Sequence, residues 1–224
     1  MTEAGALASL AMTAVMGVCM PATAAADMAL VLFTIFGVFG FGWRSWLQYR
    51  RTGSTGFRGI KAGGLVERVA GIGFVVALAL AVAAPILQEA KVVGPLRVFD
   101  EVCIQTAGIV VATAGIAATV YAQLEMGDSW RIGVDTKETT TLVHTGVFGR
   151  IRNPIYAAMS VFGIGIALVT PNVVAFAGLI LLVATIELQV RRVEEPYLLR
   201  THGDAYRAYV AGVGRFVPGV GLIR

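Results

Sequence analysis

The residues best suited to bind and orient a charged ligand lie in the stretch 142–156, where a polar loop leads into an apolar segment. The pair Asn153 and Pro154 predicts a helix start, because Asn is a preferred N-cap and Pro fits the first helical turn. The first N–H groups of a helix have no partner within the helix. With Arg150 and Arg152 beside them, they predict a site for a carboxylate or a phosphate.

Three further features weaken the alternative that the two arginines only anchor a helix at the membrane surface. Gly146 and Gly149 allow the backbone to approach a bound molecule closely. His144 adds a titratable donor. Tyr156 lies inside the predicted helix, about one turn above the basic pair.

A second polar block follows one apolar hairpin later. Glu187 lies in an apolar segment four residues before Arg191, so the two side chains are predicted to pair on one helix face. An ionisable residue at membrane depth predicts function, with a structural ion pair as the alternative. Glu194 and Glu195 follow Arg192, and one glutamate is predicted to bridge to the basic loop while the other accepts hydrogen bonds from a ligand.

Composition predicts an all-α protein, a polytopic bundle of transmembrane helices. Hydrophobic residues make up 57% of the chain, charged residues 14%, and the mean hydropathy is +0.76, which excludes an ordinary soluble domain. Five firm spans are predicted, at residues 28–47, 65–87, 98–123, 154–170 and 173–190. The run 4–26 is left open as a sixth span or a membrane-embedded helix, since it resembles a signal-peptide core without the leading positive charge.

The distribution of positive charge predicts the orientation of these spans. Of the 18 Lys and Arg residues, only Lys91 and Arg97 lie in the loop between the two middle spans. All the others lie on the opposite side, which the positive-inside tendency assigns to the cytoplasm. We therefore expect an integral, multi-pass membrane protein whose C-terminal part and active site face the cytoplasm.

Other classes of chemistry find little support in the sequence. Two histidines and two separated cysteines, Cys19 and Cys103, make neither a disulfide framework nor a zinc-ligand set, so no metal is predicted. His202 and Asp204 fit a turn and a helix cap. There is no Walker loop or nucleophile elbow. The net charge of +4 is interpreted as membrane topology, with no nucleic acid as partner.

Several short motifs together resemble the isoprenylcysteine carboxyl methyltransferase family and are similar to the wider group that includes phospholipid N-methyltransferases. The motifs lie at residues 142–148, 152–156, 194–198, 203–206, 209 and 215–218, and the resemblance covers about residues 127–218. The family commonly has His where Asn153 stands, although bacterial members accept Asn, and Tyr where Phe148 stands. These departures bear on the substrate rather than on the cofactor.

The resemblance implies S-adenosylmethionine (SAM) as cofactor and S-adenosylhomocysteine as product, bound between the last two spans and the cytoplasmic tail. It also implies a lipophilic small-molecule or lipid-linked acceptor that enters from the membrane lipid. The helix start and the arginines suit the cofactor carboxylate, the glutamates its ribose or amino group, and the tyrosines its adenine and sulfonium. The cofactor-binding residues predicted on this basis are His144, Gly146, Val147, Phe148, Arg152, Asn153, Pro154, Tyr156, Glu194, Glu195, Tyr206 and Tyr209.

Glu187 and Arg191 are the predicted catalytic residues. A carboxylate acceptor is already ionised and needs no base, so Arg191 would hold it while Glu187 orients the arginine. An amine or thiol acceptor has to lose a proton, and Glu187 or His144 is then the predicted base. The sequence leaves O-, S- and N-methylation open.

The predicted division of the chain places N-terminal membrane spans at 1–123 and a methyltransferase core at 124–224. That core comprises a cytoplasmic loop, the helical hairpin 154–190 and the cytoplasmic tail. The alternative function is a non-catalytic membrane transporter or scaffold that retains a degenerate cofactor pocket. A transporter is expected to have internal repeats or paired broken helices, and the sequence has no such pattern.

Overall fold

The computed structural model describes residues 22–56, 64–130 and 141–223, and within these ranges every regular element is helical. The predicted all-α class is therefore confirmed for this part of the chain. Two π-helical segments, Gly37–Trp43 and Val190–Glu194, each continue directly from one α-helix into the next. The α-helices are α1 (Ala22–Phe36), α2 (Arg44–Thr52), α3 (Leu65–Glu89), α4 (Val102–Glu125), α5 (Pro154–Val169), α6 (Val173–Gln189) and α7 (Glu195–Gly212).

Four helical stretches in the described ranges are long and apolar enough to cross a membrane, namely Thr23–Thr52, Leu65–Glu89, Val102–Glu125 and Val173–Gly212. The chain is a multi-pass membrane protein. The first of these stretches begins at Thr23, so the end of the N-terminal run is continuous with the predicted span at 28–47. The remainder of the N-terminal run, residues 4–21, lies outside the described residues.

The fourth predicted span, 154–170, corresponds to α5, which is shorter than the four helical stretches named above. Its 16 residues measure about 24 Å at 1.5 Å per residue, against a hydrocarbon core of about 30 Å. A complete crossing by α5 therefore stays a prediction. The C-terminal span, in contrast, continues through the second π-helical segment into α7 without a break.

Glycines bring α4 and α5 into backbone contact. A Cβ atom added to Gly115 would lie 2.5 Å from the backbone nitrogen of Phe162, and one added to Gly108 would lie 2.8 Å from the carbonyl oxygen of Gly165. Small residues allow this close approach between membrane helices. The two helices run antiparallel, so the end of α4 lies level with the start of α5.

The helices α3 and α6 form a second antiparallel pair. A Cβ atom on Gly73 would overlap the side chain of Thr185, and one on Gly178 would lie 3.2 Å from the backbone nitrogen of Ala81. This register places the first turn of α3 beside the end of α6 and the π-helical segment that follows it. The chain thereby gathers the starts of α3 and α5 and the ends of α4 and α6 at one end of the bundle.

The first helical stretch packs its aromatic residues on α5. The rings of Phe36 and Phe162 stack at 4.2 Å between centroids, and Phe33 meets Phe162 edge to face at 5.3 Å. One turn further on, the carbonyl oxygen of Gly40 accepts a hydrogen bond from the side-chain amide of Gln123 at 2.9 Å. A π-helical turn often leaves backbone groups available for such contacts.

A buried turn closes the opposite end of the bundle. The side-chain oxygen of Asn172 accepts hydrogen bonds from the backbone N–H groups of Val174 at 3.1 Å and Ala175 at 3.0 Å, which caps α6. Its amide nitrogen donates to the carbonyl oxygen of Ala84 in α3 at 3.1 Å. This end is therefore closed by polar groups that satisfy one another.

Candidate active site

A cavity of about 560 Å³ lies at the end of the bundle where α3 and α5 begin. Two sets of elements line it. The loop–tail wall comes from the loop before α5, the first turns of α5, and the tail from Glu194 onward. The helical wall comes from the α1–α2 stretch, α3 and the end of α4, with Thr185, Ile186 and Gln189 of α6 completing the enclosure.

The loop and the tail are joined through their backbones. Ile151 and Gly214 form a parallel bridge. The backbone N–H of Arg152 donates to the carbonyl oxygen of Gly214 at 2.8 Å, and that of Asn153 donates to the carbonyl oxygen of Arg215 at 3.0 Å. The basic loop and the last residues of the tail are thus held as one unit.

A buried ion-pair cluster strengthens this connection. The Oε1 atom of Glu195 lies 2.9 Å from Nη2 of Arg152 and 2.8 Å from Nε of Arg215, and its Oε2 atom lies 2.9 Å from Nη2 of Arg215. The exposed fractions of the three residues are 9%, 6% and 8%. Two arginines share one carboxylate, so the cluster keeps one positive charge in excess.

Arg152 also holds the C-terminal end of α7. Its Nη1 atom donates to the carbonyl oxygens of Val210, at 3.2 Å, and Val213, while Nη2 donates to that of Gly221 at 3.0 Å. The Nε atom of Arg152 is buried and has no hydrogen-bond partner among the described residues. One N–H donor of a charged, cavity-lining side chain therefore remains available.

Asn153 lies at the N-cap position of α5, as predicted, but its side chain does not cap the helix. Its Nδ2 atom instead donates to the carbonyl oxygen of Arg215 at 3.2 Å. The amide is thus used to fix the tail. The first backbone N–H groups of α5 are left at the cavity without a side-chain cap.

Three tyrosines line the cavity, and their hydroxyl groups differ in their hydrogen bonds. The hydroxyl of Tyr156 donates to Oε1 of Glu194 at 2.6 Å, and the hydroxyl of Tyr209 donates to the carbonyl oxygen of Phe148 at 2.6 Å. Tyr206 is buried and lines the cavity, and its hydroxyl makes no hydrogen bond with the described part of the chain.

The helical wall rests on a buried arginine. Arg44 donates to the carbonyl oxygen of Gly127 at 2.6 Å and to the side-chain oxygen of Gln48 at 3.0 Å. Its guanidinium carbon lies 4.6 Å from the ring centroid of Trp130, a cation–π contact. These contacts fix the turn that follows α4 against the first helical stretch, and with it the adjoining residue Gln123.

The cavity brings together two thirds of the predicted cofactor residues: Phe148, Arg152, Asn153, Pro154, Tyr156, Glu194, Tyr206 and Tyr209. Glu195 lies behind the wall and positions Arg152. His144 and Val147 lie in the same loop but do not line the cavity. Gly146 has a φ of +58° and packs against the carboxylate of Glu125, so a side chain there would be both strained and blocked.

The predicted pair of Glu187 and Arg191 is present, with Arg191 donating to the Glu187 carboxylate. The Arg191 side chain is 55% exposed, and neither residue lines the cavity. A catalytic role for the pair stays a prediction. The sequence analysis did not identify Glu67, which lines the cavity. The sequence feature that could have indicated it is an acidic side chain in the first turn of an apolar helix. The pairing of Arg215 with Glu195 was also not predicted.

Comparisons with known proteins give matches in fold and in sequence. In fold, 93% of the chain matches 71% of the eukaryotic intramembrane Ras methyltransferase ICMT (isoprenylcysteine carboxyl methyltransferase), with a TM-score of 0.60 at 18% sequence identity. In sequence, residues 103–205, just under half of the chain, match the phospholipid methyltransferase family. No curated protein matches the chain significantly.

The resemblance stated from the sequence is thus confirmed. The chain has an ICMT-like fold, and its segment 103–205 matches the phospholipid methyltransferase family. Residues 103–205 contain most of the loop–tail wall, including Arg152, Tyr156 and Glu194. Within the described ranges no group of three or more His, Cys, Asp or Glu side chains is placed to hold a metal ion.

Proposed function

We propose that this protein is an integral membrane, SAM-dependent methyltransferase that transfers a methyl group to a lipophilic acceptor entering from the bilayer. One observation carries the proposal. The family-matched segment and the tail meet to form one wall of a largely apolar cavity, and the polar groups on that wall suit an amino-acid carboxylate, a ribose and an adenine.

The residues present fit this cofactor. The uncapped start of α5 and the unpartnered Nε–H of Arg152 suit the methionine carboxylate, since both offer N–H donors beside excess positive charge. Glu194 suits a ribose hydroxyl or an amino group. Tyr206, Tyr209 and Tyr156 offer ring faces or hydroxyls to the adenine and the sulfonium. Glu195 acts through Arg152 by fixing its orientation.

Bound SAM supplies a methyl group on a sulfonium, which is a good leaving group and needs no metal. The task of the chain is then to align the acceptor and to exclude water. Phe41, Phe74, Leu78 and Met159 give the cavity the apolar lining that an acceptor tail needs. The excess of Lys and Arg on this side of the spans supports a cytoplasmic site.

Calorimetric titration of SAM into the detergent-purified protein tests this function. We expect micromolar binding, weakened about tenfold by Glu194→Gln, because a charged hydrogen bond contributes about 1.5–3 kcal/mol. The matched control is Asp204→Asn, since Asp204 is 93% exposed and pairs only with Arg207 among the described residues. A folded protein that does not bind SAM would contradict the proposal and favour the transporter or scaffold.

A further inference from the structure

We propose that the tail turn, residues 214–223, docks in the head-group layer of the bilayer and thereby fixes the loop–tail wall to the membrane surface. The inference goes beyond the proposed methyltransferase function and does not depend on it. It follows from the exposed side chains of the turn, from its fixed shape and from its depth in the membrane.

The tail turn exposes three large apolar side chains. Val217 is 55% exposed, Val220 61% and Ile223 43%. Pro218, which lies between the first two, is also exposed. Exposed apolar side chains that are grouped in this way mark surfaces that contact a membrane or another protein. The turn is therefore a contact surface rather than a surface that faces water.

The exposed face of α7 has the opposite character. It carries Arg200, Asp204 and Arg207, and the last two form an ion pair. Leu199 is the one large apolar side chain of α7 that is exposed, at 40%. The tail thus combines a helix with a polar face, which suits water, and a turn with an apolar face, which suits lipid.

Hydrogen bonds hold the backbone of the turn in one shape. The N–H of Arg215 donates to the carbonyl oxygen of Val220 at 2.7 Å, and the N–H of Val220 donates to that of Val217 at 3.1 Å. The carbonyl oxygen of Gly221 accepts a hydrogen bond from Arg152 at 3.0 Å. A preformed apolar turn loses little conformational entropy when it docks.

The length of α5 sets the depth of its first residue. Its last turn leads to Pro171, whose carbonyl oxygen accepts a hydrogen bond from the N–H of Leu96 at 2.6 Å. Leu96 precedes Arg97 in the polar loop between α3 and α4, so this end of α5 lies level with the membrane surface. The 16 residues of α5 measure about 24 Å, less than the hydrocarbon core of about 30 Å. The start of α5 therefore lies no higher than the near edge of that core.

The tail turn is held at the same depth. Ile151 forms a bridge with Gly214, and the N–H of Asn153 donates to the carbonyl oxygen of Arg215 at 3.0 Å. Arg150, just before the bridge, is exposed and has no ion-pair partner among the described residues. Apolar side chains beside an unpaired guanidinium match the boundary between acyl chains and phosphate groups. A lipid surface supplies both partners at the depth where the turn lies.

Fluorescence quenching in nanodiscs tests this docking. Val217→Cys and Val220→Cys, each in a Cys19→Ser, Cys103→Ser background, carry a bimane label on the new thiol. The control label is on Asp204→Cys, because the Asp204 side chain is 93% exposed on the polar face of α7. The nanodiscs hold one protein copy in phosphatidylcholine that carries a nitroxide near the head group. We expect the nitroxide lipid to quench both turn labels about threefold more than the control label, and aqueous iodide to quench them less.

The two turn labels make the result independent of either substitution, and both variants should unfold at the same denaturant concentration as their background. Turn labels that iodide quenches as strongly as the control label, without quenching by the lipid, would overturn the inference. Turn labels that are protected only in nanodiscs with two copies would assign the surface to a second copy of the chain and would also overturn it. The readout does not involve SAM, so failure of the proposed function would leave this result unchanged.

Discussion

On the loop–tail wall, Glu195 accepts three hydrogen bonds from Arg152 and Arg215, and those arginines bind the backbone around them. On the helical wall, by contrast, Gln123 has a buried acceptor and Glu67 a cavity-facing carboxylate, and neither group has a partner among the described residues. Both walls belong to one cavity. The first is organised by ion pairs within the protein and leaves mainly N–H donors, such as the Nε–H of Arg152, for a ligand, whereas the second leaves acceptors.

This difference separates two tasks of the proposed enzyme. A wall held by its own ion pairs is preorganised, and it can bind the same cofactor in every turnover without reordering side chains. A wall with unpaired hydrogen-bond acceptors distinguishes among methyl acceptors by the hydrogen-bond donors that they carry. Glu67 also lies outside residues 103–205, the segment that matches the methyltransferase family. We therefore expect acceptor choice to be set by α3 and cofactor binding by the loop and tail.

Removal of the carboxylate of Glu195 should have the largest effect on the free energy of unfolding. Glu195→Ala leaves Arg152 and Arg215 buried without a counter-ion, and we expect a loss of about 3–5 kcal/mol in the free energy of unfolding. Denaturant unfolding in detergent measures the change. Asp204→Ala is the control, because its side chain is exposed. A loss below about 1 kcal/mol would show that the cluster does not organise the wall.

Removal of Arg44 should cost less, although it is also a buried arginine. Its partners are carbonyl oxygens and the ring of Trp130 rather than a carboxylate, so Arg44→Met leaves no uncompensated charge. We expect about 2 kcal/mol from the lost charged hydrogen bonds. The same unfolding experiment applies, with the exposed Arg51→Met as control. A cost equal to that of Glu195→Ala would remove the distinction between the two walls.

The sequence was sufficient to predict the loop–tail wall in outline. The helix start at Asn153 and Pro154 and the tandem Glu194 and Glu195 are local patterns, and each appears where its pattern places it. What each side chain contacts could not be predicted. Asn153 binds the tail rather than capping its helix, because the backbone of Arg215 passes beside it, and that contact joins residues distant in the chain.

The helical wall was not predicted at all, for a physical reason. Gln123 and Glu67 come to the cavity through the packing of α4 on α5 and of α3 on α6, which depends on the register that glycines such as Gly115 and Gly73 allow. Hydropathy identifies a span but not the residues at which two spans touch. An isolated glutamate at a helix start is therefore interpreted as a surface residue until that register is known.

Two tyrosines one turn apart on the loop–tail wall are expected to differ in their contributions to the free energy of unfolding. The hydroxyl of Tyr209 donates to Phe148, whereas that of Tyr206 has no partner in the described residues. We expect Tyr209→Phe to lower the free energy of unfolding by about 1 kcal/mol and Tyr206→Phe to leave it unchanged while weakening SAM binding. Unfolding and calorimetry on both variants measure these effects. The opposite pattern would mean that Tyr206 supports the fold and Tyr209 the ligand.

The smallest effect should come from Arg191, the residue that the sequence placed in catalysis. Its side chain is 55% exposed and pairs with Glu187 on the same helix, and such surface pairs contribute about 0.5 kcal/mol or less. Arg191→Ala should therefore leave both the free energy of unfolding and SAM binding nearly unchanged. Loss of turnover with SAM binding intact would restore Arg191 as the group that holds the acceptor. A guanidinium is suited to a carboxylate, so that outcome would also favour a carboxylate as the methyl acceptor.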